Sequence, residues 1–285
     1  MRRKSNTKSA IRNTNTHLYA VIMAGGSGTR FWPLSRQMSP KQLLRIDSDD
    51  SLIQQTVKRI NPLIPLDKIH IVTNENHYLE MKMQLSSLGD NSGVKGQGSG
   101  VNFILEPEGR NTAAAIGLAA ISLYKKDPNS LMLVMPADHI IKKSERFLNI
   151  VKHAAEIAKS GYLVTFGIKP NRPETGYGYI QAQGSRLKAK GYSNVEKFTE
   201  KPDLETAKRY LKEGDYYWNS GIFLWKSSVI LNEIKSYLPD LYKNLMDVKK
   251  AVGGNGLDAA VRSAYSRIKP ISIDYGILEK SKKVA

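Results

Sequence analysis

A glycine-rich loop with two nearby cations follows the first apolar run of the chain, in the stretch VIMAGGSGTRFWPLSRQMSPKQLL. Gly25, Gly26 and Gly28 leave room for backbone N–H groups to turn toward an anion, because they carry no Cβ. Arg30 has a planar guanidinium whose N–H groups match the spacing of phosphate oxygens, and Lys41 has a compact ammonium charge on a flexible alkyl chain. The loop matches neither the G-x-G-x-x-G nor the Walker A fingerprint. We therefore predict a polyphosphate site of another kind, with a plain glycine turn beside surface cations as the alternative.

A second candidate group is the aspartate of the stretch PADH. Asp138 follows the apolar run LMLVM closely, so we expect it at the carboxyl end of a buried strand, where open α/β sheets bind ligands. A carboxylate there can hold Mg²⁺, which prefers oxygen ligands and substrate phosphates. The alternative is that Asp138 is the N-cap of the next helix. His139 has no partner at metal-ligand spacing, and we interpret it as structural.

The elements that must position these groups can be read from hydrophobic periodicity. Short apolar segments predict buried strands at 18–23, 68–73, 101–105 and 131–135. Between them, helical spacing is present at 52–60, 77–87 and 112–124. This alternation predicts an α/β fold with a doubly wound, mainly parallel (Rossmann-like) sheet. The glycine-rich segment 89–100 is typical of a flexible connector.

The pattern changes after about residue 160. The segments 161–168, 177–184 and 192–200 predict longer strands that lie closer together in the chain. Helical stretches follow at 204–213, 229–237 and 241–252. We expect a mixed-sheet subdomain built onto the first sheet.

Composition limits the function classes. The chain of 285 residues contains no cysteine, which excludes disulfides, thiolate nucleophiles and cysteine-rich zinc sites. No apolar run approaches the roughly 20 residues of a membrane span, and the start of the chain lacks the apolar core of a signal peptide. We expect a cytoplasmic protein without a membrane partner. The net charge of +17 lies partly in a basic arm at 1–17, predicted to be disordered, and no nucleic-acid-binding signature accompanies it.

Several ordered motifs resemble those of the sugar-1-phosphate nucleotidyltransferases, in particular the bacterial mannose-1-phosphate guanylyltransferases. They are AGGSGTRFWPLSR with SPKQLL, EPEGRNTAAAI, MPADHII, FGIKPNRPETGYGYI, VEKFTEKP, YWNSGIFLW and PISIDYGILEKS. The resemblance implies a sheet of the nucleotidyltransferase type with a sugar-binding subdomain. It also implies transfer of GMP from GTP to mannose 1-phosphate, with GDP-mannose and pyrophosphate as products and Mg²⁺ as cofactor. The single domain at 18–285 would then have a nucleotide-binding half, 18–160, and a sugar-binding half, 161–285.

The resemblance assigns roles to residues of the first half. It implies that Arg30, Lys41 and Asp138 are catalytic, that Asp138 is the metal ligand, and that the turn 106–112 lies against the base. The implied nucleotide-binding residues are Gly25, Gly26, Ser27, Gly28, Thr29, Arg30, Arg110, Asn111 and Thr112. Asn111 or Thr112 can also cap the helix that begins there. Nothing in the spacing selects guanine over another base.

The resemblance places the sugar phosphate in the second half. The implied sugar-phosphate-binding residues are Tyr177, Gly178, Glu200, Lys201 and Asn219. Gly178 permits close backbone approach, while Glu200 and Asn219 offer polar groups for hydroxyls and Lys201 offers a charge for the phosphate. The alternatives are that the neighbouring aromatic residues are half-buried strand residues and that Glu200 and Lys201 form a surface ion pair.

The resemblance weakens at the end of the chain. Family members continue past SIDYGILEKS into a tryptophan-rich segment with a second metal-binding aspartate, and longer relatives carry an isomerase domain; neither has a counterpart here. Asp274 is a candidate to substitute for that aspartate. Two alternatives stay open: a related thymidylyl-, uridylyl- or adenylyltransferase acting on glucose 1-phosphate, and a weakly active binding or regulatory protein. The oligomeric state, including a homodimer, also stays open.

Overall fold

The computed structural model describes residues 16–26, 40–88, 100–183 and 191–285. The strands in these ranges are β1 (Leu18–Met23), β2 (Ile69–Asn74), β3 (Asn102–Glu106), β4 (Leu131–Pro136), β5 (Val164–Ile168), β6 (Tyr179–Ala182), β7 (Val195–Thr199) and β8 (Tyr216–Lys226). The α-helices are α1 (Leu52–Ile60), α2 (Glu75–Ser86), α3 (Asn111–Lys126), α4 (Ser144–Lys159), α5 (Leu204–Glu213), α6 (Ser227–Tyr237), α7 (Pro239–Ala251) and α8 (Leu257–Arg267). There are also short 3₁₀ turns at Lys41–Leu43 and Leu66–Lys68 and a π-helix at Asp274–Leu278.

The strands form one mixed sheet in the order β3-β2-β1-β4-β8-β6-β7, with β5 paired to β8. Strand β1 is parallel to β2 and β4, and β2 is parallel to β3. Strand β8 is antiparallel to β4, β5 and β6. The predicted doubly wound α/β sheet with a mixed extension is therefore confirmed. Because β1 to β4 are parallel, their carboxyl ends meet at one edge of the sheet.

Both faces of the sheet are buried, which explains the near-continuous apolar runs of β1 and β4. The buried side chains of α3, α6, α7 and α8 cover one face, and those of α1, α2 and α4 cover the other. Helix α3 packs closely on α7, since a Cβ at Gly117 would lie 2.5 Å from a methyl carbon of Leu245. The small residues of α3 therefore serve close packing.

Local sequence accounts for several helix ends. The side chain of Asn74 accepts a hydrogen bond from His77 N at 3.0 Å and caps α2. The side chain of Asp203 accepts one from Thr206 N at 2.7 Å and caps α5. Helix α5 is followed by the C-cap residue Gly214, whose φ of 79° lies in the left-handed region that glycine adopts freely.

The second half differs from the sequence prediction in its strand lengths. Strands β5, β6 and β7 have only 5, 4 and 5 residues, whereas the longest strand, β8 with 11 residues, was not predicted as a strand. Its sequence YYWNSGIFLWK mixes polar and apolar residues, and its burial changes from alternating over 216–222 to continuous over 222–225. Helix α8 was also missed, although Val261, Ala264 and Tyr265 have helical spacing and are buried.

Two predicted segments fall wholly or largely outside the described residues. The connector 89–100 lies outside them apart from Gly100, and the arm 1–17 lies outside them apart from Thr16 and His17. His17 is held in place, because its Nδ1 lies 2.8 Å from Asp127 Oδ2. No helix of the described ranges is long and apolar enough to cross a membrane.

Candidate functional site

A lysine and an aspartate meet at the carboxyl edge of β1 and β4. Lys41 begins the 3₁₀ turn after Pro40, and Asp138 lies two residues beyond the end of β4. Lys41 Nζ is 3.1 Å from Asp138 Oδ2, and both side chains are partly exposed. The N-cap alternative for Asp138 is wrong, because the next helix, α4, is preceded by Lys143. The structure thus brings together two of the three predicted catalytic residues, and Arg30 lies outside the described residues.

A buried glutamine holds the start of the glycine loop. Gln42, next to Lys41, donates from Nε2 to Ala24 O at 2.7 Å and to Gly26 O at 3.3 Å. Of the predicted loop residues, Gly25 and Gly26 are therefore held next to Gln42, the neighbour of Lys41 in the chain. Their predicted partners Ser27, Gly28 and Thr29 lie outside the described residues. The sequence prediction missed Gln42, although its position within the PKQLL motif was a signal.

Helix α1 supports the loop that carries Asp138. Thr56 Oγ1 donates to Ala137 O at 3.1 Å, and the guanidinium of Arg59 donates to His139 O at 3.0 Å. Arg59 is buried, and this burial lowers its pKa from the ordinary value. Burial also lowers the pKa of the His139 imidazole. These contacts fix the backbone on both sides of Asp138 while its carboxylate stays accessible.

The candidate metal ligand at this edge is a single carboxylate. Across 16–26, 40–88, 100–183 and 191–285, no group of three or more histidine and acidic side chains is arranged to hold a metal ion. Mg²⁺ commonly takes one or two carboxylates and completes its octahedron with water and substrate phosphates. The side chain of Asp138 is 34% exposed, so it fits such a role.

The beginning of α3 contains the three predicted residues of the base-side turn. Arg110 pairs with Glu108 at 2.8 Å. Asn111 has a φ of 64°, and its Oδ1 accepts a hydrogen bond from Thr112 N at 2.8 Å. Thr112 Oγ1 accepts one from Ile273 N at 2.8 Å. The predicted capping by Asn111 or Thr112 is wrong, because the N-cap residue is Arg110, whose side chain makes no capping hydrogen bond. The Thr112 hydroxyl instead accepts the hydrogen bond from Ile273.

A buried glutamate ends β3 close to the glycine loop. Glu106 Oε1 accepts a hydrogen bond from the Tyr265 hydroxyl at 3.1 Å. A Cβ at Gly25 would lie 3.1 Å from Glu106 Oε2. Burial raises the pKa of Glu106 to about 7, and the bond from Tyr265 opposes that shift. The sequence prediction treated Glu106 only as the start of a turn, although a carboxylate directly after a buried strand is the same signal that identified Asp138.

The predicted sugar-side residues come together around β8. Asn219 N donates to Gly178 O at 2.8 Å. A Cβ at Gly178 would lie 2.5 Å from Glu200 Oε2 and 3.4 Å from Asn219 Cβ, so glycine is needed for this approach. Lys201 forms an ion pair with Glu200, whose side chain is 11% exposed. Lys201 also has a φ of 45°, an uncommon backbone conformation for a residue with a Cβ.

Asp274 joins this group, although the sequence prediction considered it only as a substitute metal ligand. Asn219 Nδ2 donates to Asp274 Oδ1 at 2.9 Å. Asn219 Oδ1 accepts a hydrogen bond from Gly221 N at 3.1 Å, so both the oxygen and the nitrogen of this side-chain amide already bond within the protein. Burial, followed by the nearby charge of Glu200, raises the pKa of Asp274 to about 6. The polar surface on this side therefore consists mainly of two neighbouring carboxylates, Asp274 bonded by Asn219 and Glu200 paired with Lys201.

The aromatic residues of this side divide by burial. Tyr179 is fully buried and Trp218 nearly so, as expected if they are strand residues, whereas Tyr177 is exposed. The rings of Tyr177 and Trp218 meet edge to face with centroids 5.3 Å apart. Tyr177 is the predicted aromatic residue that presents its ring to solvent beside Gly178.

A mixed α/β sheet with a glycine loop and a lysine–aspartate pair at its carboxyl edge defines a nucleotide-binding enzyme class. The nucleotidyl transferase family model matches residues 19–253, so the chain belongs to the nucleotidyl transferase family. The predicted family is confirmed. Members of this family generally use a divalent metal ion.

Relatives of known name agree with this assignment. The chain is 43% identical over 266 residues to a mannose-1-phosphate guanylyltransferase of Salmonella montevideo, covering 92% of this chain and 54% of that protein. It is 41% identical over 275 residues to an Escherichia coli protein of the same name, covering 93% of this chain and 56% of that protein. The chain thus spans about half the length of the curated relatives it matches.

Solved structures resemble the fold over nearly the whole chain. A structure from Thermus thermophilus, named a mannose-1-phosphate geranyltransferase, is 31% identical with a TM-score of 0.80, covering 94% of this chain and 72% of that chain. A structure from Helicobacter pylori, named a mannose-6-phosphate isomerase, is 28% identical with a TM-score of 0.74, covering 94% of this chain and 95% of that chain.

Proposed function

We propose that this chain transfers GMP from GTP to mannose 1-phosphate and releases GDP-mannose and pyrophosphate. The observation that carries the proposal is the Lys41–Asp138 pair at the edge of β1 and β4, in a strand order that has the glycine loop after β1 and the polar side chain of Asn219 on β8. The charged side chains of Lys41 and Asp138 suit the phosphates of both substrates and their metal ion. The base of the nucleotide and the sugar of the sugar phosphate would then lie on opposite sides of this pair. The names of the 43% and 41% identical relatives support the choice of GTP and mannose 1-phosphate.

The proposed reaction is a single in-line displacement. An oxygen of the mannose 1-phosphate phosphate attacks the α-phosphorus of GTP, a new P–O bond forms, and the bond to the pyrophosphate oxygen breaks. Lys41 and Arg30 neutralise the negative charge on the α-phosphate and on the departing pyrophosphate. The absence of cysteine from the sequence agrees with a route that needs no thiolate nucleophile.

Asp138 would hold Mg²⁺, which neutralises phosphate charge when bound. Gln42 and Arg59 keep the two loops of this region in position through their backbone hydrogen bonds. The electrostatic contribution of such groups depends on this fixed geometry, because little reorganisation is then needed during the reaction.

On the sugar side, Glu200 and Asp274 accept hydrogen bonds from mannose hydroxyls, and Lys201 contributes positive charge toward the sugar phosphate. Tyr177 packs on the sugar ring, and Gly178 allows Glu200 to approach.

On the nucleotide side, the residues that bind phosphates are Gly25, Gly26, Ser27, Gly28 and Thr29, and the residues that line the base are Arg110, Asn111 and Thr112. The division into a nucleotide half, 18–160, and a sugar half, 161–285, follows from these roles. A cytoplasmic location is part of the same proposal, since the reaction draws on GTP.

A pyrophosphate-release assay tests this function. The protein is incubated with Mg²⁺, each of the four common nucleoside triphosphates, and either mannose 1-phosphate or glucose 1-phosphate. We expect release with GTP and mannose 1-phosphate and much slower release with every other combination. Preferred turnover of another pair would identify a related transferase, and nucleotide binding without any turnover would favour a binding or regulatory protein. Either result would overturn the proposed reaction.

A further inference from the structure

The strand order gives the candidate site two ends along the carboxyl edge of the sheet. At the β3 end, Glu106 ends β3 and the chain turns into α3. At the β8 end, Asn219 lies on β8, which is antiparallel to β4 and passes beyond its end. The Lys41–Asp138 pair lies between them, and strands β2, β1 and β4 separate the two ends. A contact between the two ends therefore requires a segment that crosses this edge of the sheet.

One stretch of the chain, the 271–279 segment, bonds to the helix that begins at the β3 end. Ala113 N donates a hydrogen bond to Ile271 O at 3.1 Å. Ile273 N donates one to Thr112 Oγ1 at 2.8 Å. Ala113 and Thr112 both belong to the first turn of α3, so the first residues of the segment are fixed to the start of that helix.

The same segment contacts both carboxylate residues of the β8 end. Asp274 is one of its residues, and Asp274 Oδ1 accepts a hydrogen bond from Asn219 Nδ2 at 2.9 Å. Glu279 Oε1 accepts a hydrogen bond from the backbone N–H of Glu200 at 3.3 Å. The positions of the two carboxylates that the proposed function assigns to mannose hydroxyls therefore depend on the 271–279 segment.

The middle of the segment is closely packed against the rest of the protein. Asp274–Leu278 forms a π-helix, a rare structure that is frequent at functional sites. Ile277 and Leu278 are buried, and a Cβ at Gly276 would lie 2.9 Å from Leu238 Cδ1. Because this part is fixed by packing, the position of the Asp274 carboxylate is set by the backbone directly before it and by its bond to Asn219.

The Thr112 hydroxyl holds that backbone in place. Ile273 directly precedes Asp274, is the N-cap residue of the π-helix, and is fully buried. Without Thr112 Oγ1, the buried N–H of Ile273 would lose its acceptor, which costs free energy unless the backbone shifts to find another. Such a shift moves Asp274, the next residue, away from its place beside Asn219.

We propose that Thr112 is a positioning residue for the sugar phosphate, because its hydroxyl fixes the backbone that carries the Asp274 carboxylate. This inference rests on the proposed function, which assigns mannose hydroxyls to Asp274. It gives the Thr112 side chain a role beyond the nucleotide, to which the resemblance assigned the residue. A residue of the nucleotide-binding half thereby sets the affinity for the other substrate.

Thr112→Val tests the proposal, because valine keeps the branched shape of threonine and removes the hydrogen-bond acceptor. In pyrophosphate-release assays, we expect KM for mannose 1-phosphate to rise about 5- to 10-fold, since a buried donor loses its partner. The KM for GTP should stay within about twofold and kcat within about threefold, because the side-chain volume beside the base and the Lys41–Asp138 pair are kept. Thr112→Ser keeps the acceptor and should behave like the unaltered protein.

A double-mutant cycle separates positioning from a general loss of structure. In an Asp274→Asn background, Thr112→Val should raise KM for mannose 1-phosphate by less than about twofold, because it acts through a carboxylate that is already absent. Ser122→Ala is the matched control, since it removes a hydroxyl of the same helix that bonds within the helix, to Leu118 O at 3.0 Å. It should leave both KM values unchanged. Circular dichroism establishes that each variant is folded.

Hydrogen exchange of the unaltered protein provides a second measurement that needs no substitution. With GTP present and a chelator added to prevent turnover, mannose 1-phosphate should slow amide exchange at least about twofold in the 271–279 segment and in the first turn of α3. A sugar site that is independent of Thr112 would leave exchange in that turn unchanged. Peptide-resolved mass spectrometry follows both regions.

The outcomes separate this inference from the proposed function. An unchanged KM for mannose 1-phosphate in folded Thr112→Val, a rise confined to the KM for GTP, or an equal rise in both backgrounds overturns the inference. If Thr112→Val does not fold, unchanged exchange at the start of α3 overturns it. In all these cases the proposed function stands if the unaltered protein makes GDP-mannose.

If the unaltered protein accepts another sugar phosphate instead, the proposed function fails, and the same comparisons with that sugar phosphate decide the role of Thr112. If it accepts no sugar phosphate, both proposals fail.

Discussion

The two carboxylates at opposite ends of the candidate site are buried in different ways. Glu106 lies at the end of a parallel strand with one phenolic donor, and its pKa is raised to about 7. Asp274 lies on a π-helix beside another carboxylate, Glu200, and its pKa is raised to about 6 from a lower ordinary value, so the two shifts are of similar size. Burial is the main cause in both cases, and the Asn219 amide and the Lys201 charge offset the repulsion from Glu200. Burial thus decides the direction of both shifts, against the hydrogen-bond donors that the protein supplies.

The middle of the site contrasts with both ends, because there a cation balances the carboxylate. Lys41 and Asp138 are partly exposed and lie within 3.1 Å of each other. This difference predicts that changes in the middle affect turnover, whereas changes at the ends affect the affinity for one substrate.

The largest effect is expected for Lys41→Met. Removing a charge that stabilises the departing pyrophosphate should lower kcat about 100- to 1000-fold. Pyrophosphate release at saturating substrates measures this loss. Lys58→Met is the control, because Lys58 also pairs with an aspartate, Asp50, but on an exposed surface. Full activity in Lys41→Met would remove Lys41 from the proposed mechanism.

The pH dependence of stability tests the buried acids. The folded pKa of Asp274, about 6, exceeds its ordinary value of 3.8, so its contribution to stability is present below the ordinary value and is lost as the pH rises through 6. As the pH rises from 4.5 to 7.5, Asp274→Asn should therefore gain stability relative to the unaltered protein, by about 2 kcal/mol over this range. Urea denaturation across this range measures the difference. If the difference in the free energy of unfolding between the two proteins does not change with pH, Asp274 does not titrate in this way.

Asp274→Asn should also affect the kinetics of the sugar phosphate more than the binding of GTP. We expect kcat/KM for mannose 1-phosphate to fall about 10- to 30-fold, because a charged hydrogen-bond acceptor is lost. The affinity for GTP should stay within about twofold, since Asp274 lies at the β8 end. Steady-state kinetics and calorimetry measure the two quantities. A loss confined to GTP affinity would contradict the assignment of the two ends.

The smallest effects are expected for the two glycines that face carboxylates. A Cβ at Gly178 would lie 2.5 Å from Glu200 Oε2, so Gly178→Ala must displace that side chain and should raise KM for the sugar phosphate several-fold. At Gly25 the corresponding distance to Glu106 Oε2 is 3.1 Å, and Gly25→Ala should raise the Kd for GTP by a smaller factor. Calorimetry with each substrate compares the variants. Effects on the opposite substrates would reverse the assignment of the two ends.

Much of the first half was predictable from the sequence. Strands β1 and β4 and helix α1 lie where the apolar runs and the helical spacing predicted them. Helix α5 also has its predicted bounds. The two strands are continuous apolar runs and the two helices bury a face with helical spacing, and both patterns are clear signals in the sequence. Strand β8 gives a mixed signal, because it pairs with β4, β5 and β6 along its length and its burial changes from alternating to continuous at Ile222.

The contacts of the candidate site also fall into some that the sequence predicted and some that it did not. Lys41 and Asp138 could be predicted to meet, since carboxyl ends of parallel strands share one edge. The bond from Asn219 to Asp274 joins residues 55 positions apart, and the bond from Tyr265 to Glu106 joins residues 159 apart. No spacing along the chain indicates such contacts.

The sequence by itself determined the α/β class, the parallel half of the sheet, the family and the cationic centre of the candidate site. Only the tertiary structure decided which carboxylates are buried and which donors reach them. The physical reason is that periodic burial and strand-end position are local properties of the chain. Desolvation and hydrogen bonding of Glu106 and Asp274 depend instead on α8, β7 and β8, which come together only when the whole domain folds.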